Sequence, residues 1–327
     1  MTVKEPRIEL ARLPTPIERL QRLSERYGVD LRVKRDDLTG LGVSGNKVRK
    51  LEYLVAQALA AGADTLVTCG GAGSNHCRAT AVTAARLGLQ TSLLLRTDDG
   101  QPPAEPWSGN LLLCRFVGAE IQFVSRDQYR DYDGMFGQAV AALQERGRRP
   151  FVIPEGGSNA TGSLGYARAF AELRGQWPEA DIVVAAMGSG GTAAGLVMGR
   201  RAAGGDGPLP VAVNVCDDEA FFRDRVRAIL GDPAEDDLRI LDGFKGRGYA
   251  LSTTEELAFI ADVAATEGLL LDPVYTGKAL LGLVRSLEAG RLKAERVLFI
   301  HTGGAFGLFA PDSAKGLAEV YAKSVKR

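Results

Sequence analysis

The pentapeptide Gly188-Ser189-Gly190-Gly191-Thr192 lies between an apolar run ending near Ala186 and a helical run beginning near Ala193. Backbone N–H groups of such a turn, added to the positive end of the helix dipole, form a cup for a phosphate. The turn lacks the Gly-Lys-Ser/Thr ending of a Walker loop and the GxGxxG spacing of a dinucleotide fold, so the phosphate belongs to something other than a nucleotide. A plain glycine-rich turn is the competing reading. A second stretch, Lys34-Arg35-Asp36-Asp37-Leu38-Thr39 followed by Ser44-Gly45-Asn46-Lys47-Val48-Arg49-Lys50-Leu51-Glu52, sets Lys47 after a glycine-bearing turn and ahead of a helical run. A lysine there could point inward as a nucleophile. On residue types alone, Lys47, Arg49 and Lys50 read equally as a solvated basic face.

These groups need elements to place them. Short runs rich in Val, Ile and Leu alternate with segments of helical period, which predicts an α/β fold with mostly parallel strands and helical crossovers. The predicted strands are Thr65 to Thr68, Thr91 to Leu95, Ile121 to Val124, Phe151 to Pro154, Ile182 to Ala186, Val211 to Val215 and Val297 to Ile300. Thr253 and Glu256 form a capping box, Leu257, Ile260, Ala261 and Ala264 follow at helical spacing, and Gly268 ends the helix. The stretches 97–107 and 203–210 read as surface connections rich in Gly, Pro and Asp. Ligands in open α/β sheets sit beyond the carboxyl ends of strands, where Cys69 to His76, Met187 to Thr192 and His301 to Ala305 fall.

The whole chain sets the class. Its 327 residues exceed one compact core, so two domains are expected. Lys plus Arg equal Asp plus Glu at 40 each, leaving no global field to gather nucleic acid or an acidic membrane, and a small molecule is the expected partner. The segment Met1 to Ala11 has no apolar core of a leader, and no stretch approaches the ~20 apolar residues of a membrane helix; a cytoplasmic protein is expected. Cys69, Cys77, Cys114 and Cys216 are scattered without a CxxC pair, so reduced packing thiols are expected. With only His76 and His301 as histidines, no metal centre is expected.

The ordered motifs KRDD, GNKxRKLE, GSNH, GSGGT, DPVYTGKA and HTGGA resemble those of the D-cysteine desulfhydrase and 1-aminocyclopropane-1-carboxylate deaminase family, over roughly Arg19 to Phe309. That family has the two-domain architecture of fold type II pyridoxal-phosphate enzymes (tryptophan synthase β-like), mostly parallel sheets with helices on both faces. The resemblance implies pyridoxal 5'-phosphate as cofactor. It also implies a large cofactor-binding domain of residues 1–50 and 166–327, a small domain of 51–165, and a homodimer. It implies Lys47 as the residue that bears the cofactor and carries the proton, a role suited to an amine whose pKa is lowered by burial. It places Asn75 beside the cofactor phenolate oxygen, Ser74 near the substrate carboxylate and His76 in the same triplet; Ser74 and Asn75 merely capping a helix is the alternative. Gly188, Ser189, Gly190, Gly191 and Thr192 would hold the phosphate and Thr302 the pyridine nitrogen. Tyr249 and Tyr275 would be active-site tyrosines, although a tyrosine before a helix is often a packing residue. His301 reads as structural.

Thr276 chooses within the family, since the cyclopropane-opening deaminases resemble one another in having Glu after the tyrosine and the desulfhydrases have Thr. The expected activity is therefore α,β-elimination from a cysteine-like amino acid, giving pyruvate, ammonia and a sulfur leaving group. Ser44 stands where the family has Gly, Ala72 and Gly73 replace Ile-Gln, and Cys77 is unusual. Losing the Gln makes space, so L-cysteate or 1-aminocyclopropane-1-carboxylate stays open as substrate. A β-replacement synthase is disfavoured because the Thr-Ser-Gly-Asn loop of cysteine synthases is missing. A non-catalytic pyridoxal-phosphate binding protein is disfavoured because Lys47, Ser74 and both tyrosines occur together.

Overall fold

Strands that are apolar throughout become the centres of two sheets. A computed structural model describes residues 5–234 and 236–324; Met1 to Lys4, which begin the segment read as lacking a leader, lie outside them. The strands are β1 Ile17–Arg19, β2 Asp30–Lys34, β3 Thr65–Gly71, β4 Gln90–Arg96, β5 Glu120–Val124, β6 Pro150–Val152, β7 Ile182–Met187, β8 Leu209–Asn214, β9 Arg239–Leu241 and β10 Arg296–Ile300. One sheet runs β1-β2-β10-β7-β8-β9 and the other β5-β4-β3-β6. Every pairing is parallel except β1 with β2. β3 and β7 are buried at every position, which is why neither shows polar alternation, whereas β5 at an edge alternates. Among the described residues no helix is long and apolar enough to cross a membrane.

Some elements differ from expectation. The run Phe151 to Pro154 pairs as Pro150–Val152, because Pro154 has no N–H for a ladder. β1 and β9 are too short to show a period. β2 does alternate, with Leu31 and Val33 fully buried, but its charged neighbours disguise it. The helix Thr254–Glu267 forms as expected, with both capping-box bonds made and Gly268 left-handed at its end.

The decisive element is the helix Asn46–Ala60, called here the lysine helix. It packs against the helices Asn75–Arg86 and Ala160–Gln176. A side chain at Gly165 would begin 2.2 Å from the Arg49 carbonyl oxygen, so only glycine allows the second approach. Val48, Leu51, Leu54, Val55 and Ala58 supply the apolar faces. Arg49 and Lys50, however, are each 1% exposed, which overturns the solvated-face reading. A buried charge must find a partner, and Arg49 finds two. It donates to both Asp36 oxygens at 2.9 and 2.7 Å and to Glu172 Oε2 at 2.9 Å. Thr15 Oγ1 (2.8 Å) and the Tyr166 hydroxyl (2.5 Å) also donate to Asp36. Glu172 in turn pairs with Lys34 at 2.5 Å.

Burial alone would raise the Asp36 pKa; the Arg49 charge and these hydrogen bonds outweigh it and hold the carboxyl below its ordinary 3.8. The stabilisation is therefore present above about pH 4 and is lost as pH falls through the lower folded-state value. Asp36→Ala leaves Arg49 with Glu172 as its one carboxylate and is expected to cost about 3–5 kcal/mol in urea unfolding; a change below about 1 kcal/mol would show that the pair does not hold the lysine helix.

Candidate active site

A cavity of about 180 Å³ opens between the carboxyl ends of β3, β7 and β10. All three polar stretches singled out in the sequence border it. Lys47 enters from the first turn of the lysine helix. Gly45 precedes that turn at φ +98°, and a side chain there would begin 2.6 Å from the Thr302 carbonyl oxygen. The same oxygen accepts from Asn46 N at 3.1 Å. Glycine is therefore required for the turn to rest on the loop after β10. Desolvation brings the Lys47 amine down to about 8 from its ordinary 10.5, against the opposing pull of Glu155. Lys47 has no salt bridge among the described residues.

The loop Gly188 to Thr192 connects β7 to the helix Gly191–Ala202, with Gly190 left-handed at the N-cap. Bulk is excluded at two of its glycines. A side chain at Gly188 would begin 2.7 Å from the Tyr275 ring, and one at Gly191 would begin 2.6 Å from Ser158 Oγ and 2.8 Å from Lys50 Nζ. Beneath the cup, Lys50 Nζ donates to Gly156 O at 3.2 Å and to Ser158 Oγ at 3.1 Å, while Ser158 Oγ meets Ser189 Oγ at 2.8 Å. Asn46 Nδ2 donates to Thr192 Oγ1 at 3.1 Å. Desolvation, then the Lys47 charge, hold the Lys50 amine well below its ordinary value. The cup thus contains a buried amine without a counter-charge among the described residues, and an anion resting there supplies one. Lys50, Ser158 and Asn46 were not foreseen. The i, i+3 spacing of Lys47 and Lys50 on one helical face was the available signal.

Ser74, Asn75 and His76 follow β3. Ser74 caps the helix Asn75–Arg86, its Oγ accepting from Cys77 N at 3.2 Å, which leaves the hydroxyl proton free. The capping reading and the cavity-facing reading therefore hold together. Asn110 Oδ1 accepts from Arg78 Nε at 2.8 Å, so its amide nitrogen must donate to Asn75 Oδ1, also at 2.8 Å. The Asn75 Nδ2 is then the donor left for the cavity, and Asn110, unremarked in the sequence, sets that orientation. Thr68 gives its proton to Ile153 O at 2.7 Å, so His76 Nε2 must be the donor in its 2.9 Å contact with Thr68 Oγ1. His76 Nδ1 is buried without a hydrogen-bond partner among the described residues. Desolvation, then Lys47 and Lys50, keep this imidazole neutral.

Tyr249 and Tyr275 meet edge to face, with ring centroids 6.1 Å apart. Desolvation raises the Tyr249 hydroxyl to about 12 and the Tyr275 hydroxyl well above its ordinary value. Both rest as proton donors at neutral pH. Thr302 borders the cavity, and its hydroxyl makes no hydrogen bond among the described residues. His301 accepts from Gly303 N at 3.1 Å through Nδ1, so Nε2 donates to Leu270 O at 3.0 Å and the loop carrying Thr302 is tied down.

Thr276 departs from its expected substrate-binding place. It is fully buried, off the cavity wall, and its hydroxyl donates to Asp272 Oδ1 and accepts from Asp272 N, each at 2.7 Å. Asp272 also accepts from Val274 N and Tyr275 N at 3.0 and 2.9 Å. As the first residue of its helix, Thr276 closes the turn that aims Tyr275.

Residues 8–303 match the family described as "Pyridoxal-phosphate dependent enzyme". The chain belongs to this family. It is 41% identical over 319 residues to "Bifunctional D-cysteine desulfhydrase/1-aminocyclopropane-1-carboxylate deaminase, mitochondrial" of Arabidopsis thaliana, covering 92% of this chain and 78% of that one. It is 41% identical to "D-cysteine desulfhydrase" of Salmonella choleraesuis (strain SC-B67) over 318 residues, covering 93% and 96%. A solved structure, "Crystal Structure Analysis of the ACC deaminase homologue", superposes with a TM-score of 0.86 at 38% identity, covering 97% of each chain. The fold type II architecture is thereby established.

Pyridoxal phosphate fits the residues present. The small-residue cup with Lys50 below it would hold the phosphate, the lowered Lys47 amine meets the chemistry of an aldehyde, and the free Thr302 hydroxyl and Asn75 amide are polar groups for the ring. Two outcomes are expected. Cofactor-free protein should take up pyridoxal phosphate at a rate that climbs with pH through about 8 and then levels, because only the neutral amine attacks. A visible-absorbance time course with a midpoint near 10.5 would show that the amine is not desolvated. Ser74→Ala should lower unfolding free energy by only about 1 kcal/mol, the cost of a lost cap, while lowering kcat/KM at least about tenfold; proportionate small losses in both would reduce Ser74 to a cap.

Proposed function

We propose that this pyridoxal-phosphate-dependent enzyme performs α,β-elimination of the D-cysteine desulfhydrase type, releasing pyruvate, ammonia and a sulfur leaving group from a cysteine-like amino acid. The observation that carries the reading is one amine lowered to about 8 and lodged between a phosphate cup and a helix N-terminus facing the same cavity. When bound, the cofactor supplies the electron sink for negative charge at the substrate's α carbon. The chain supplies the rest. The N-terminus of the helix Asn75–Arg86 and the Ser74 hydroxyl bind a carboxylate. The Lys47 amine accepts and returns a proton near neutrality. Tyr249 and Tyr275, held protonated, are placed to give a proton to a departing group. Thr302 would offer the cofactor ring a neutral hydroxyl rather than a carboxylate, which suits loss of a β substituent. Water is limited by the enclosing glycine loops and tyrosine rings.

The name of the Arabidopsis relative supports cyclopropane opening as a second activity. That reaction gives a four-carbon keto acid instead of pyruvate. The assignment to the cytoplasm rests on four free thiols, and a homodimer is supported by exposed Phe116 (82%), Phe309 (65%) and Leu112 (46%) on adjoining elements. Ser108 Oγ links those elements by donating to Phe309 O at 2.9 Å.

Holoenzyme supplied with D-cysteine, L-cysteine, L-cysteate and 1-aminocyclopropane-1-carboxylate is expected to release pyruvate from at least one sulfur substrate. Lys47→Ala should reduce that release by about a thousandfold or more. Retained pyruvate formation in the variant would remove Lys47 from the mechanism.

A further inference from the structure

The cavity contains a cation that the reaction outlined above leaves without a task. Arg96 ends β4, where it pairs in register with Gly71 of β3, and its carbonyl accepts from Ala72 N at 3.3 Å. Its guanidinium carbon lies 4.9 Å from the Tyr129 ring centroid and 5.6 Å from that of Tyr249. Arg96 borders the same cavity as Lys47 and Ser74 and has no hydrogen bond or ion pair from its guanidinium among the described residues. Arg49, by contrast, is fully paired. Glu155 and Asp217 border the cavity too, but neither is within ion-pair distance of Arg96, and Glu155 is the leading charge acting on Lys47. The residues leading to Ser74 read Gly70-Gly71-Ala72-Gly73, and a side chain added at Gly71 would begin 2.9 Å from the Tyr249 ring, so glycine there lets that ring lie against the strand end beside Arg96. A permanently charged planar group, set beside two aromatic rings and bordering the cavity, is built to receive an oxyanion.

We propose that Arg96 is a specificity-determining residue that reads a second negative charge, an oxyanion carried on the substrate's β carbon, so that the preferred substrate bears a sulfonate or phosphate ester there instead of a neutral thiol. This rests on the elimination reading. The chemistry balances without an oxidant. A base removes the Cα proton, the C–H electron pair becomes the Cα–Cβ double bond, and the β bond breaks with its pair on the leaving group. That group is sulfite from a sulfonate or phosphate from a phosphate ester. Water hydrolyses the resulting enamine to pyruvate and ammonia.

The test uses holoenzyme and Arg96→Met with both enantiomers of cysteate, O-phosphoserine and the neutral β-chloroalanine. The ratio of kcat/KM for the better oxyanion substrate to that for β-chloroalanine is expected to fall about a hundredfold or more in the variant, chiefly through KM. Arg96→Lys should recover part of it. Cysteate against O-phosphoserine decides which oxyanion is read. An unchanged ratio, with all substrates losing equally, would mean that Arg96 serves the common carboxylate or the wall itself, and the proposal fails. Failure to turn over any substrate would reject elimination, not the anion site. Calorimetric titration with 3-sulfopropanoate and butanoate then decides: selective binding of the sulfonate, lost in Arg96→Met, supports the site, and equal binding of the two overturns it.

Discussion

Asp36 and Arg49 meet where water is excluded, and the placement of the reactive amine depends on that meeting. The lysine helix runs between packed elements, with acid or base at Lys47, Arg49, Lys50 and Glu52 in its first two turns. Hydrophobic burial holds its flanks, but buried charge would oppose it without fixed partners. Arg49 takes Asp36 and Glu172; Lys50 takes a carbonyl and a serine; Glu52 accepts from Leu10 N and Ala11 N, each at 3.0 Å, and pairs with Arg7. Each partner fixes the helix's rotation. Lys47 on the same turn is thereby aimed into the cavity without a salt bridge among the described residues.

The chemistry follows from how differently similar groups are treated. Arg49 is held charged by carboxylates, whereas Lys47 and Lys50, a turn apart, are both pushed toward neutrality by desolvation. Their surroundings divide the tasks, since Lys50 lies under a cup of N–H groups and Lys47 faces open space. Two phenols kept protonated opposite an amine near neutrality make an acid and a base coexist at one pH. The two sheets share the work. The ends of β7 and β10 bring the cup and Thr302, and the end of β3 brings Ser74 and Asn75.

Much of this was legible. Val, Ile and Leu runs marked the central strands because strands covered on both faces need no alternation, and the glycine cup and capping box are local signals that long-range contacts did not override. The misreadings share a cause. Arg49 looks solvated until Asp36 and Glu172, 13 and 123 residues away along the chain, are brought beside it. Which way Thr276 turns is settled by a neighbouring carboxylate loop, and residue type does not reveal it. Arg96 closes an ordinary strand in the sequence, and only the register of β4 against β3 sets it beside the stretch leading to Ser74. The role proposed for Lys47 comes from the resemblance of the ordered motifs, since spacing alone left it open.

The contact of Gly45 and Asn46 with the Thr302 carbonyl carries a consequence for biosynthesis. The turn that presents Lys47 emerges from the ribosome early, yet the backbone it rests against belongs to the loop after the last strand of the sheet. Until β10 has been made and inserted between β2 and β7, the turn keeps its contacts with Thr39 and Arg78 but lacks the Thr302 carbonyl, and the cavity has no wall on that side. The cavity that Lys47 enters is therefore complete only when one of its earliest-made segments has met one of its last.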